Sequence, residues 1–161
     1  MASIIKADVW QNTAGVPYGT VLGYNSYFYP SVNDNYVVIS GDTDYDTSVS
    51  VTYSPKFASS ILVVQAALHT RMNGAFGMSL GIKRDGTKQL GNYNVAGNDF
   101  YYKSASTNHH HTMNATIKVS ANTTAATTFT VWMRPYSGGG GSGEWSQGWG
   151  QSFIQVWEIQ S

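Results

Sequence analysis

Cysteine is absent from the 161-residue chain, and charged residues make up only 11% of it. The absence of cysteine excludes disulfides and thiol catalysis. The nine basic residues are scattered along the chain, with only Lys83 and Arg84 adjacent, and form no basic stripe, so the sequence predicts no nucleic-acid binding. No apolar run reaches the roughly 20 residues that a membrane-spanning helix needs. The first ten residues lack the basic region and apolar core of a signal peptide.

Lysine and glutamate are rare, whereas tyrosine, asparagine, serine, threonine and glycine are abundant. This mixture disfavours helices and favours strands and turns. The length fits one domain. About nine or ten strand-like segments follow one another between glycine and proline residues, and no segment has a convincing helical pattern. The sequence therefore predicts an all-β fold, an antiparallel sandwich or jelly roll.

Two short polar segments predict turns. The segment "RDG" (84–86) separates two strand-like stretches, and an Asp-Gly pair is typical of a tight hairpin. The segment "DTDYD" (42–46) predicts an acidic turn. Its alternating aspartates are spaced as calcium ligands are, but the glycine and the distal glutamate of an EF-hand-like loop are missing.

Two predicted strands, "ILVVQAAL" (61–68) and the last strand, "QSFIQVWEI" (151–159), are apolar on both faces. A sandwich strand normally has one apolar and one polar face. One face of each strand would fill the core, and the other needs a second apolar cover. A neighbouring subunit of a homo-oligomer is the predicted cover, and a loop of the same chain is the alternative. The residues predicted at this interface are Ile154, Val156, Leu62 and Val64.

The segment "SGGGGSGEWSQGWGQ" (137–151) has the composition of a linker. Only ten residues follow it, which is too few for a second domain. The sequence therefore predicts a long loop between the last two strands, and such loops are often functional. Trp145 and Trp149, with Tyr136 at the loop entry, are the predicted binding residues. The alternative is that the two tryptophans pack against the domain or a neighbour.

Four segments carry a resemblance to a known family. The opening "MASIIKADVWQNTAGVPYGTVL" (1–22) resembles the N-termini of small tail-fibre and other virion-surface proteins of bacteriophages, especially cyanophages. The segments "SVSVTYSPKFASSILVV" (48–64), "GIKRDGT" (81–87) and "SFIQVWEI" (152–159) are similar to the head domains of these proteins. The resemblance implies a homotrimeric jelly roll like the C1q and tumour-necrosis-factor heads, with the first and last strands near the trimer interface.

The resemblance also implies a function and a domain organisation. Residues 1–20 would be an attachment arm that binds other virion proteins, and residues 21–161 would be the jelly-roll head. The head would bind a glycan or lipopolysaccharide of the host surface, through several weak contacts at once. Because the segment before the head is short for a fibre shaft, a capsid decoration or head-fibre protein is the alternative.

Enzymatic and metal chemistry find little support in the sequence. The stretch "GGSGE" lacks the closing glycine of a nucleophile elbow, and the sequence predicts no enzyme. In "TNHHHTM" (107–113), His109 and His111 would share a face of a strand. On a three-fold axis they would surround one metal with six imidazoles, as in fibre proteins that resemble this family; a polar loop is the alternative. The sequence predicts no metal or other cofactor, and it predicts His69 as a polar residue at a strand end.

Overall fold

The chain forms a sandwich of two antiparallel sheets. The structure is a computed structural model that describes residues 21–29, 36–39, 43–72, 75, 77–89, 99–102, 109–136, 143–146 and 151–160; for 36–39, 99–102, 136 and 143–146 it describes the backbone alone. These residues form eleven strands and no helix, which confirms the all-β prediction. The strands are β1 (Val21–Phe28), β2 (Tyr36–Ile39), β3 (Tyr45–Tyr53), β4 (Ile61–Met72), β5 (Gly77–Arg84), β6 (Thr87–Lys88), β7 (Asp99–Tyr102), β8 (His109–Ser120), β9 (Thr127–Tyr136), β10 (Gly143–Ser146) and β11 (Phe153–Ile159).

The strand order is that of a jelly roll. In the first sheet, β4 pairs with β8 along one edge and with β11 and β10 along the other. β1 then pairs with the far edge of β11, and β2 pairs with the far edge of β10. In the second sheet β9 lies between β3 and β5, and β6 and β7 follow the far edge of β5. With β2, β6 and β10 set aside, the eight remaining strands pair first with last (β1–β11), second with seventh (β3–β9), third with sixth (β4–β8) and fourth with fifth (β5–β7). This nested pairing confirms the predicted jelly roll.

The core lies between the two sheets and follows the period-2 alternation of the strands. Every second residue of β3 and β9 turns inward, beside Met78, Leu80 and Ile82 of β5 in the same sheet, and the facing side chains come from β4, β8 and β11. Burial of this apolar surface is the main stabilising contribution. The fully buried side chains include Val49, Leu62, Val64, Leu68, Met78, Leu80, Ile82, Met113, Phe129, Val131, Met133, Ile154 and Val156.

Of the two predicted turns, one is confirmed and the other is wrong in part. The tight hairpin at 84–86 is confirmed: Asp85 and Gly86 both have positive φ, 48° and 79°, and join β5 to β6. The acidic turn at 42–46 is wrong at its C-terminal end. Tyr45 and Asp46 already belong to β3, because they pair with Met133 and Trp132 of β9.

The glycine-rich segment is also shorter as a loop than predicted. Residues 143–146 form β10, which pairs with β4 on one side and with β2 on the other. A strand inserted between two others satisfies its backbone hydrogen bonds on both edges, so this part of the segment belongs to the first sheet. The predicted attachment arm, residues 1–20, lies outside the described residues.

A buried carboxylate ties the two sheets together at one end of the sandwich. Glu158 of β11 is fully buried and accepts a hydrogen bond of 2.8 Å from the hydroxyl of Tyr53 in β3. The amides of Lys56 and Phe57, in the connection between β3 and β4, donate to the same carboxylate at 2.9 and 3.0 Å. Gly23 of β1 leaves room for the ring, since a Cβ there would lie 2.0 Å from the Tyr53 hydroxyl oxygen.

These contacts shift the pKa values of both groups. Burial alone would raise the pKa of Glu158, but the hydrogen bonds it accepts, first that from the Lys56 amide, outweigh burial and hold the pKa below its usual value. Burial, with the hydrogen bond to Glu158 and its charge, raises the pKa of Tyr53 to about 12. The folded protein therefore favours an ionised Glu158 beside a neutral Tyr53.

Replacement of the carboxylate should make the fold less stable in a pH-dependent way. We expect Glu158→Gln to lower the free energy of unfolding at pH 7 by about 1.5–3 kcal/mol, because charged hydrogen bonds are lost. An unfolded glutamate titrates near pH ~4.3. Because the pKa of Glu158 is lower in the folded protein, the unfolded state binds the proton first as the pH falls. The extra free energy of unfolding that Glu158 provides is therefore complete above the unfolded pKa. It is lost as the pH falls through the folded pKa.

Urea unfolding at pH 7 and at pH 3.5, on wild type and variant, measures both effects. The control is Asp46→Asn, which removes an exposed carboxylate and should change stability little. A Glu158→Gln deficit of equal size at both pH values would contradict the assignment.

Candidate interaction surface

The outer face of the first sheet carries a continuous set of apolar side chains. The cross-strand register places Tyr24 opposite Trp157 and Phe28 opposite Phe153, and these pairs share the outer face. Further apolar side chains of β11 and β4 lie on the same face and extend it towards the middle of the sheet. We name this surface the aromatic outer face and define it by Tyr24, Phe28, Ile61, Val63, Phe153, Trp157 and Ile159.

The aromatic rings of this face are ordered by contacts with one another. Tyr24 and Trp157 have ring centroids 5.7 Å apart at an interplanar angle of 40°, and Phe28 and Phe153 are 5.7 Å apart at 39°. Such offset, tilted pairs add to the energy of apolar burial. The face is therefore formed by the chain itself and does not need a partner to arrange its rings.

A pair of amides crosses the middle of the aromatic outer face. The Gln155 amide donates to the Gln65 side-chain oxygen at 3.0 Å, and the Tyr24 hydroxyl donates to the Gln155 side-chain oxygen at 3.3 Å. The two amides and the Tyr24 hydroxyl thus have part of their hydrogen bonds within the face. This lowers the free energy that would be lost if a partner molecule excluded water from them.

Much of this apolar surface remains accessible to solvent. Tyr24 is 49% exposed and Phe28 46%, and Val21, which pairs with Ile159, is 56% exposed. In β1, β11 and residues 61–67 of β4, no described side chain on this face carries a charge. Contiguous exposed apolar surface of this kind marks an interaction site in soluble proteins. On β8 the same face is polar and largely exposed, so the apolar part ends at β4.

The outer face of the second sheet has the opposite character. Its side chains form ion pairs, between Lys83 and Asp46 and between Asp44 and both Lys88 and Arg134. Trp132 is fully buried on this face; it packs on Gly81 and lies under the Lys88 ammonium group, 4.1 Å from the ring centroid. This sheet covers its own large apolar side chain, whereas the first sheet leaves its aromatic residues accessible.

The structure corrects the predicted interface residues. Ile154, Val156, Leu62 and Val64 have no solvent exposure and lie in the core between the sheets. They cannot contact a neighbouring molecule in the folded chain. Both strands are two-sided, as the sequence indicated, but the accessible face is the other one. Tyr24, Phe28 and the two glutamines were missed, although the many aromatic residues of "VLGYNSYFY" (21–29) were a usable signal.

The predicted glycan-binding residues are not brought together by any described contact. Tyr136 ends β9 in the second sheet, whereas Trp145 lies in β10 of the first sheet, opposite Thr70 of β4 and Val37 of β2. The structure describes only the backbone at Tyr136 and Trp145. Trp149 lies outside the described residues.

The histidines lie on both faces of one strand. His109 and His111 share a face of β8, with ring centroids 6.3 Å apart. His110 points to the opposite, outer face, where it meets His69 of β4. His69 thus lies inside β4 and not at its end. In the part of the chain that the structure describes, no group of three or more histidine, aspartate or glutamate side chains is placed to hold a metal. That part also contains no helix that is long and apolar enough to cross a membrane.

Comparison with known proteins gives distant structural matches. No protein-family model and no curated protein sequence matches the chain. The chain is similar to a structure of infectious bursal disease virus, Gt strain, with 12% sequence identity and a TM-score of 0.46, over 98% of this chain and 43% of that chain. It is also similar to the VP2 subviral particle of infectious bursal disease virus, with 11% identity and a TM-score of 0.40, over 100% of this chain and 42% of that chain. The chain spans about two fifths of the length of these structures.

The assignment of the two faces of β4 can be tested with two adjacent valines. Val64→Asp would bury a charge in the core and should prevent stable folding at room temperature, because an unpaired buried charge costs several kcal/mol. Val63→Asp puts the same charge on the aromatic outer face and should leave a folded β protein. Circular dichroism and thermal melts of both variants give the result, and equal loss of structure in the two would contradict the assignment.

Proposed function

We propose that this protein is a structural component of a bacteriophage virion, a tail fibre or receptor-binding head that attaches to glycans of the host surface. The observation that carries the proposal is the aromatic outer face, which leaves Tyr24 and Phe28 about half exposed on an otherwise self-sufficient jelly roll. A surface of this kind suits a protein that functions in an assembly. The jelly roll is common among virus proteins and lectins, but it also supports other functions. The specific identification rests on the resemblance of residues 1–22, 48–64, 81–87 and 152–159 to phage virion-surface proteins.

The assembly in this proposal is a homotrimer that buries the aromatic outer face. β1 and β11, the first and last strands, carry four aromatic side chains of this face, which agrees with the position that the resemblance implies for the trimer interface. Aromatic side chains are enriched and charged ones are depleted at the centres of protein interfaces. The ion pairs of the second sheet would then face outward.

Attachment to the particle and to the host would use two different segments of the chain. Residues 1–20 would bind another virion protein. Trp145 and Trp149, with Tyr136, would contact a glycan or lipopolysaccharide, because indole faces stack on the C–H faces of sugars. Three heads in one trimer would raise the avidity of contacts that are individually weak.

A capsid decoration or head-fibre protein is the second candidate. Its support is the lack of charge on the described side chains of the aromatic outer face, which would also suit a contact with the virion shell. Antibody labelling of intact virions, viewed by electron microscopy, distinguishes the candidates: labels on the tail support the receptor-binding head, and labels distributed over the capsid support decoration.

The homotrimer has a direct test in solution. Sedimentation equilibrium should show a trimer for the wild type. Phe28→Asp puts a charge on the aromatic outer face and should give a folded monomer, because the charge would have to be buried without a partner. Thr52→Asp puts the same charge on an exposed position of β3 in the second sheet and should remain a trimer. A wild-type protein that sediments as a monomer would refute the trimer.

The proposed glycan contact predicts a loss of adsorption without a loss of stability. We expect the double variant Trp145→Ala and Trp149→Ala to keep its melting temperature and oligomeric state and to bind host cells at least about tenfold more weakly, since aromatic anchors dominate binding energy. A thermal melt and a cell-binding assay on the same preparation test both parts. A lower melting temperature with unchanged binding per folded molecule would show that the tryptophans are structural.

A further inference from the structure

Two histidines from neighbouring strands face each other on the outer face of the first sheet. His69 of β4 is opposite Thr112 of β8, and His110 of β8 is opposite Arg71 of β4, so the two histidines are diagonal neighbours. Their Nε2 and Nδ1 atoms are 3.2 Å apart. The ring centroids are 5.4 Å apart and the ring planes differ by 26°. The two nitrogens therefore lie between the rings, and each ring presents a nitrogen to the other.

This geometry allows only one hydrogen between the two facing nitrogens. In the uncharged pair, one ring donates its N–H and the other accepts with its lone pair. A neutral imidazole is the form that coordinates metals.

We infer that His69 and His110 together bind one divalent transition-metal ion, with water completing its coordination. Zinc–imidazole bonds are about 2.0–2.1 Å long, so nitrogens 3.2 Å apart would subtend an angle of about 100° at the metal, close to the tetrahedral value. The required adjustment is a rotation of the rings, and the terminal torsion of histidine is broad enough to permit it.

The surroundings of the pair determine which metals bind. Arg71 lies two positions along β4 from His69 and opposite His110, and the register places Glu144 of β10 opposite Arg71 on its other side. The charge of Arg71 opposes a cation, and the coordinate bonds to the imidazoles supply the affinity. Imidazole ligands suit zinc, copper and nickel, whereas magnesium and calcium prefer oxygen ligands. The site therefore selects transition metals, and with two protein ligands it is weaker than a four-ligand structural zinc site.

Positions on the same two strands provide matched controls. His109 and His111 lie on the other face of β8, away from the contact between His69 and His110. A double variant, His109→Ala with His111→Ala, therefore removes two imidazoles, one more than either test variant, without touching the proposed ligands. The inference does not depend on the proposed virion function, because it concerns only the isolated chain.

Isothermal titration of the full chain with zinc chloride and with nickel chloride tests the site. We expect one metal per chain for the wild type, no binding of magnesium or calcium, and a loss of affinity of at least about tenfold in His69→Ala and in His110→Ala. The control double variant should retain the wild-type affinity. The proposal is overturned if the wild type binds no zinc or nickel, if both single variants bind as the wild type does, or if only the control variant loses binding. Circular dichroism of each variant verifies that it is folded.

Discussion

The packing of β4 and β11 against the second sheet is the constraint on which the other features of the molecule depend. Both strands are apolar on both faces, and the sandwich can take only one face of each. Leu62 and Val64 of β4, with Ile154 and Val156 of β11, fill the core against β3, β5 and β9. Because side chains alternate along a strand, this choice turns Val63, Phe153 and Trp157 outward. The aromatic outer face is a direct consequence of how the core is filled.

The sequence was sufficient to predict the all-β class, the jelly roll and the hairpin at Asp85-Gly86, because these depend on local propensity and on residues with special backbone angles. It was not sufficient to choose the inward face of β4 and β11. Glu158 shares the inward face of β11, which a reader of the sequence would take as the polar face. Its burial depends on Tyr53, Lys56 and Phe57, about 100 residues away, and no local pattern indicates those contacts.

The remaining errors have the same origin in long-range pairing. The acidic segment ends early because β9 pairs with Tyr45 and Asp46, and the glycine-rich segment contains β10 because β2 and β4 provide two edges for it. His69 was predicted as a polar strand end because its partner, His110, lies 41 positions along the chain. In each case a residue that is unremarkable in its local sequence acquires its role from a strand that is distant in sequence.

The two outer faces differ in a way that bears on function. Among the side chains that the structure describes, the second sheet covers Trp132 with its own lysine and pairs Asp44 with Lys88 and Arg134. The outer face of the first sheet presents ordered aromatic pairs and mutually bonded amides. On this face, no described side chain of β1, β11 or residues 61–67 of β4 carries a charge. Among the described side chains, those of the first sheet's outer face have the aromatic, uncharged composition that is found at interface centres.

A cryo-electron microscopy reconstruction of the assembled protein is the most direct test of this account. The account predicts that Phe153 and Trp157 of each copy contact a neighbouring copy, and that Asp46 and Lys83 face solvent. A reconstruction in which the neighbouring copies meet through the ion-paired sheet, with the aromatic outer face exposed to water, would contradict it.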